Sequence, residues 1–323
     1  MRRREFLGWT GGIALAVPVA ARAESRVYRV GFLTLEADET AALLLDPLRA
    51  LGYVEGRNLA FDYRTAAGDP ARLPALAAEL VRLHPDVLVA GWGTLAPKAL
   101  RAATATIPIV FSTAGDPVGA GLVQTLGRPG GNVTGLSGQS AELKSKQLQL
   151  LEMAVPGQRV IGVLYNPATP YTLLALKELE EGARRDGIRL ERIEVRKPAD
   201  LTPARMDALV AAGATSLFVL EDPLAVGLRN EVMAEAKRLQ LPTMSGLREY
   251  IEAGALMLYG ASQIDRYRRT AMLVDRILKG ANPADLPVEQ PTRFEFVVNL
   301  KAARALGVAL SPDVVAMADE VIE

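Results

Sequence analysis

Past its first two dozen residues this chain runs one pattern twice, and that doubling constrains the fold more than any other feature. Short apolar, β-rich runs alternate with amphipathic helical stretches. Val30-Gly31-Phe32-Leu33 opens one series and Ile161-Gly162-Val163-Leu164 the other, each followed by helix, strand, helix, strand. The strand runs fall at 28–33, 59–63, 87–90, 107–111, 133–136, 160–164, 190–195, 216–220, 242–244, 256–259 and 294–298. Helical patterns occupy 73–83, 141–153, 173–186, 228–239 and 265–279. Near-continuous apolar strands separated by amphipathic helices imply parallel sheets covered on both faces. The 323 residues suffice for about two domains. The expected fold is α/β, with two Rossmann-like lobes and a cleft between them. The turn-rich Arg128-Pro129-Gly130-Gly131-Asn132 marks the break. The helix from 262 to 279 is free to return to the first lobe, and Gln290-Pro291-Thr292 crosses back. One lobe is therefore expected to hold 24–132 with about 262–290, the other 133–261 with about 291–323.

Residues 1–23 read as an address rather than structure. Arg2, Arg3 and Arg4 start the chain, residues 7–20 are small and apolar, and Ala21-Arg22-Ala23 is the small-x-small pattern of a signal-peptidase site. The apolar run is shorter than the ~20 residues of a spanning helix. Arg3-Arg4-Glu5-Phe6-Leu7 resembles the twin-arginine export signal, used by proteins that fold before export; an ordinary secretory signal with surplus arginines is the other reading. Either way the mature protein, starting at Glu24, is expected to be soluble and periplasmic.

Composition removes several classes of chemistry. The 37 basic and 37 acidic residues cancel, and aromatic residues make up only 5%, so nothing pulls the chain toward nucleic acid. There is no cysteine, hence no disulfide, no thiolate chemistry and no lipid-modified N-terminal cysteine. The single histidine, His84 in Leu83-His84-Pro85-Asp86, reads as a loop residue. No metal, cofactor or catalytic residue is called for.

In open parallel sheets ligands bind beyond the carboxyl ends of the strands, so the strand assignments select the loops. Those of the first lobe contain Thr34, Trp92, Gly93, Thr94, Ser112, Thr113 and Asp116; those of the second contain Asn166, Thr169, Asp222, Ser245 and Arg248. Gly91-Trp92-Gly93-Thr94-Leu95-Ala96 matches the dinucleotide fingerprint formally, with Asp116 twenty positions beyond. It sits in the third strand–helix unit, however, and puts a bulky Trp where backbone must approach a pyrophosphate. The simpler use is a helix N-terminus that holds a carboxylate through the Thr94 N–H and hydroxyl, with Ser112 or Thr113 near. Asp116-Pro117 and Asp222-Pro223 offer carboxylates for a ligand ammonium, or helix caps followed by Pro at the first helical position. Arg248 has the fork to grip a carboxylate, and Trp92 the surface to cover a ligand side chain.

These stretches also carry a resemblance. Leu51-Gly52-Tyr53-Val54-Glu55-Gly56-Arg57-Asn58, Ile107-Pro108-Ile109-Val110-Phe111, Gly115-Asp116-Pro117-Val118, residues 128–135, Tyr165-Asn166-Pro167 and Ala284-Asp285-Leu286-Pro287-Val288-Glu289-Gln290-Pro291-Thr292 resemble, in order, the ABC transporter substrate-binding protein family that includes tryptophan-type binding proteins. The chain departs from that pattern at Trp92, where a small residue is usual, and between Thr34 and Ala50, which is shorter. The resemblance implies a type I periplasmic-binding-protein fold with three crossovers between lobes. It also implies capture of a small solute, here expected to be an amino acid or similar carboxylate, for an inner-membrane ABC permease. The other classes the residues leave open are an exported NAD(P)-dependent oxidoreductase and a ligand-sensing subunit for a membrane receptor.

Overall fold

The computed structural model describes residues 26–35, 39–138 and 143–323; the export signal expected at 1–23 lies outside them. The chain builds β1 (Tyr28–Thr34), α1 (Glu39–Ala50), β2 (Leu59–Thr65), α2 (Leu73–Arg82), β3 (Val87–Trp92), α3 (Leu95–Ala103), β4 (Ile109–Ala114) and β5 (Val133–Ser137). It then crosses over and forms α4 (Leu143–Ala154), β6 (Val160–Tyr165), α5 (Pro170–Arg185), β7 (Arg189–Glu194), α6 (Pro203–Ala211), β8 (Leu217–Val219), α7 (Pro223–Gly227), α8 (Arg229–Arg238), β9 (Thr243–Ser245), α9 (Arg248–Glu252) and β10 (Met257–Ala261). The tail is α10 (Gln263–Leu278), β11 (Phe294–Asn299), α11 (Leu300–Ala305), α12 (Pro312–Ala316) and β12 (Glu320–Ile322).

Two α/β lobes result. Five parallel strands in the order β2-β1-β3-β4-β5 form the first sheet, and β12-β11-β10-β9-β8-β6-β7 the second. Among the described strands only the β10–β11 pairing is antiparallel, because β11 enters from the other lobe rather than through a crossover helix on its own sheet. Each sheet is buried on both faces. In the first, Val30, Phe32 and Val89 meet Leu44 and Leu48 of α1 and Tyr267 and Val274 of α10 on one side, while Leu33, Leu88 and Phe111 meet Leu80 of α2 and Leu100 of α3 on the other. This double covering is why the strands read as unbroken apolar runs.

The boundary expected at 132/133 is corrected. Val133–Ser137 is wholly buried and extends the first sheet, pairing in parallel with β4 from Ile109↔Val133. The Pro-Gly stretch before it is only the β4–β5 connection, and Asn132 ties it to the first lobe by donating to the Thr104 and Ile107 carbonyls (3.2 and 2.8 Å). Composition marked a turn correctly, but a turn joins strands within a sheet as readily as it separates lobes.

The chain passes between lobes at 138–143, 261–263 and 289–294. After β10 it returns to the first lobe as α10, and residues 288 and 289 run beside β5, with the Ser137 N–H donating to the Glu289 carbonyl (2.8 Å). Arg269 of α10 holds the last crossing by pairing with Glu289 (2.6 Å) and donating to the Gln290 carbonyl (2.8 Å). The Ser262 N–H donates to the Arg293 carbonyl (3.0 Å), so the second and third crossings are bonded to one another.

Just beyond the first crossing, Lys144 is 1% exposed and binds the Glu221 carboxylate after β8 (Oε1 at 2.6 Å). Gln147, one turn on, donates to the Tyr259 carbonyl of β10 (2.5 Å). Removing one member of such a pair strands the other charge. Lys144→Met should therefore lower unfolding free energy by about 3–5 kcal/mol in urea titration. Arg248→Met, which breaks the Arg248–Glu320 pair (2.7 Å, half-exposed), should cost only ~0–1 kcal/mol. Equal costs would show that the buried pair is no anchor.

Candidate functional site

Because all strands of the first sheet and β6, β8, β9 and β10 of the second are parallel within their sheets, their carboxyl ends collect on one edge of each lobe. Those edges face each other across a cavity of about 880 Å³, within the ~300–1,000 Å³ usual for small-molecule sites. Its first-lobe wall includes Leu35, Trp92, Gly93, Thr94, Thr113, Gly115 and Asp116; its second-lobe wall includes Asn166, Thr169, Tyr171, Glu221, Asp222 and Gly246.

Asp222 is the most heavily bonded of these groups. It is 1% exposed and caps α7, its Oδ1 accepting from the Leu224 N–H (2.9 Å). Asn166 donates to the same oxygen (3.1 Å), and the Thr169 hydroxyl donates to Oδ2. Both the cap and the position on the cavity follow from the same fact, that Asp222-Pro223 opens a helix right after a buried strand. Beneath it Tyr250 donates its hydroxyl to the Ala225 carbonyl (2.6 Å), and burial, then the charges of Asp222 and Glu221, push its phenol far up and keep it neutral. Asp116 caps a looser turn, accepting from the Gly119 N–H (2.8 Å).

Trp92 lies on the cavity and packs against the apolar cluster of the second lobe that includes Ala225 and Val226. It thus reaches across the cleft. Thr94 precedes α3 with no capping hydrogen bond from its side chain. The glycines of the fingerprint serve packing. A Cβ at Gly91 would stand 2.8 Å from Thr34 Cγ2, and Gly93 has φ +97° and would meet Pro223 across the cleft at 3.3 Å. Neither is held open for a pyrophosphate.

Eight of the twelve expected site residues line the cavity: Trp92, Gly93, Thr94, Thr113, Asp116, Asn166, Thr169 and Asp222. Four do not. Thr34 is 2% exposed, packed on Gly91 with its hydroxyl 3.0 Å from that of Tyr63. Ser112 is fully buried because β4 runs on to Ala114, which leaves it inside the sheet. Ser245 ends β9 buried, its Oγ accepting from the Leu247 N–H (3.4 Å), and the neighbouring Gly246 faces the cavity instead. Arg248 spends its fork on Glu320 of β12 (2.8 and 2.7 Å), a strand that the sequence did not reveal. His84 is exposed in the turn before β3, at the opposite edge of the sheet. Tyr165 is core, donating to Glu194 (2.9 Å).

Sequence reasoning passed over Glu221, Tyr171 and Arg266. Glu221 adjoins Asp222 and could have been flagged as a second acid at a strand end. Tyr171 and Arg266 lie on helices, which strand-end logic does not search. A Cβ on Gly246 would collide with Glu221 Oε1, so glycine there keeps the Lys144–Glu221 pair intact.

Two α/β lobes, three crossings and a cavity shared by both strand-end edges define a type I periplasmic-binding-protein architecture, a class built to enclose small solutes. The chain belongs to the ABC transporter substrate binding protein family, whose pattern it matches over residues 36–322. It is 26% identical over 269 residues to the tyrosine-binding protein of Clostridioides difficile (strain R20291), covering 83% of this chain and 76% of that one. A conserved domain protein from Vibrio cholerae superposes with TM-score 0.84 at 34% identity, over 92% of this chain and all of that one. An ABC domain from Streptococcus pneumonia in complex with L-Trp gives TM-score 0.83 at 25% identity, again over 92% and all. A ligand-free, open substrate-binding protein from Clostridium difficile, also 25% identical, gives 0.70 over 92% and 99%.

The lobes come close where Tyr171 lies on Gly115. A Cβ there would stand 2.6 Å from Tyr171 Cβ and 2.7 Å from its Cδ2. Gly115 has no left-handed φ, so alanine strains nothing locally and acts only across the cleft. Gly115→Ala should disfavour this arrangement by about 1–3 kcal/mol, the usual cost of overpacking. Small-angle scattering should then give a larger radius of gyration than the parent, with little change in melting temperature. An unchanged radius would mean that this contact does not limit closure.

Proposed function

We propose that this protein is the solute-capturing component of an ABC import system: exported to the periplasm, it closes on one small amino-acid-type solute and presents the closed form to a membrane permease. It acts without chemistry on the solute. The observation that carries this reading is the cavity itself, formed jointly by the strand-end loops of both lobes. Hinge closure about a few crossing segments buries a solute from both sides. The likeness is greater to the L-Trp complex than to the ligand-free open relative at the same identity, which supports a closed arrangement here.

The ligand chemistry follows from the lining. Asp222 suits an ammonium group, since a carboxylate already positioned by the Leu224 and Ala225 N–H groups, Asn166 and Thr169 pays little ordering entropy to accept a fifth donor. The ligand carboxylate has two candidate partners: the uncapped N-terminus of α3 at Thr94, and the basic side chain of Arg266. Trp92 and Tyr171 provide aromatic walls for an apolar or aromatic side chain. Burial, then Glu221, holds the Tyr171 phenol well above its ordinary range, so it meets the ligand uncharged. The tyrosine-binding protein and the domain in complex with L-Trp favour an aromatic amino acid; Trp92 limits the volume left for it. Nothing in the cleft favours NAD(P), whose fingerprint glycines are consumed by packing.

Thermal shift against the twenty amino acids tests this directly. A true ligand at a hundredfold excess over Kd should stabilise the protein by ~2.7 kcal/mol; no shift with any of them, nor with related small carboxylates, would overturn the reading. Asp222→Asn should weaken binding of that ligand by about 2–5 kcal/mol in calorimetry. It should leave the empty protein nearly as stable, because Asn caps as well as Asp and the Thr169 hydroxyl can turn to accept from the new amide. Thr94→Val should cost about 1–2 kcal/mol of binding, the loss of one hydrogen bond. Export is checked separately: replacing Arg3 and Arg4 by Lys should keep the protein in the cytoplasm, and N-terminal sequencing of the exported form should begin at Glu24.

A further inference from the structure

Among the described residues two basic side chains are buried, and only one has found a counter-charge. Lys144 is paired with Glu221. Arg266, in the first turn of α10, is 9% exposed and lines the cavity, yet makes no ion pair with any described residue. Its Nε is buried without a hydrogen-bond acceptor, and its guanidinium carbon lies 5.5 Å from the centre of the Tyr267 ring. The neighbouring arginines of α10 are both satisfied, Arg268 by Asp265 and Arg269 by Glu289. Glu295 is close enough to feel Arg266, but its ion pair, at 4.0 Å, is with Arg248. The other basic residues on the cavity, Lys98, Arg196 and Lys197, are exposed at its mouth, where solvent screens them.

A guanidinium taken out of water needs an anion, and a half-satisfied charge in a low-dielectric pocket is the costly case. Among the described residues the other buried charges on this cleft are answered within the protein, Lys144 and Glu221 by each other and Asp222 by the Leu224 N–H, Asn166 and Thr169. We propose that Arg266 is the anion anchor of the cleft: it takes the ligand's carboxylate in its planar fork, and so admits free acids while rejecting their amides and esters. This rests on reading the cavity as the solute site. It assigns the charge to a side chain of α10, which starts at the second crossing, rather than to the N-terminus of α3, whose dipole carries only part of a charge. An anion at Arg266 would bond to the helix that leaves the hinge. Ligand binding and lobe position would then be coupled through one residue.

The test compares L-tryptophan and L-tyrosine with their amides by calorimetry. The parent should prefer the acid by about 100-fold or more, the penalty for an unpaired buried charge. In Arg266→Gln the acid should lose that factor while the amide is unaffected, bringing the ratio near one. Arg266→Lys should recover part of it, because Lys supplies charge without a fork. In the empty protein, Arg266→Gln should melt no lower than the parent, which separates a binding role from a structural one. A second probe needs no amino acid: sodium acetate should raise the parent's melting temperature above matched sodium chloride, and should not do so in Arg266→Gln. If neither aromatic amino acid binds but the acetate effect depends on Arg266, the anion site stands and the amino-acid reading falls. If Arg266→Gln keeps both the acid preference and the acetate effect, or Thr94→Val removes them instead, Arg266 is not the anchor.

Discussion

The Lys144–Glu221 contact is the interaction on which the rest of the cleft depends. Lys144 starts the helix that receives the chain from the first lobe, and Glu221 ends the strand loop that carries Asp222. Gln147 extends the contact to the last residues of β10, from which the chain leaves again. One buried ion pair thus joins an arriving segment, a departing segment and the acidic wall of the cavity. Such a pair adds little net stability over apolar residues of the same size. Its value is geometric: neither charge tolerates being left alone, so the three elements hold one arrangement.

The same rule shapes the site. Asp222 is buried but answered by Leu224, Asn166 and Thr169, so the second-lobe wall is finished before any ligand arrives. The first-lobe side is less complete, with an uncapped Thr94 and, in the first turn of α10, an unanswered Arg266. A finished wall facing an unfinished one suits a protein whose ligand is part of the closed structure. The close fits of Tyr171 on Gly115 and Pro223 on Gly93 show how near the backbones come, and why glycine stands at both first-lobe positions.

The strand-end loops were legible because parallel sheets leave few choices about where polar groups can gather. Eight of the expected residues line the cavity for that reason. The misses have particular causes. Ser112 was lost to three residues of extra strand, a matter of where pairing with β5 stops. Arg248 was lost to β12, whose Glu320 comes from the far end of the chain. Arg266 was invisible because burial without a partner is a property of surroundings, and a helix of mixed polarity gives no sign of which arginine points inward.

Sequence alone determined the alternation of buried strands and amphipathic helices, its doubling, and hence two α/β lobes with a cleft at their strand ends, since apolar periodicity is a local consequence of which faces are covered. The order of strands within each sheet, the allotment of β5 to the first lobe, and the pairing state of each buried charge were decided only by tertiary structure. Those depend on contacts between residues far apart in the chain, such as Lys144 with Glu221 and Arg248 with Glu320, and no local pattern encodes which distant group will meet which.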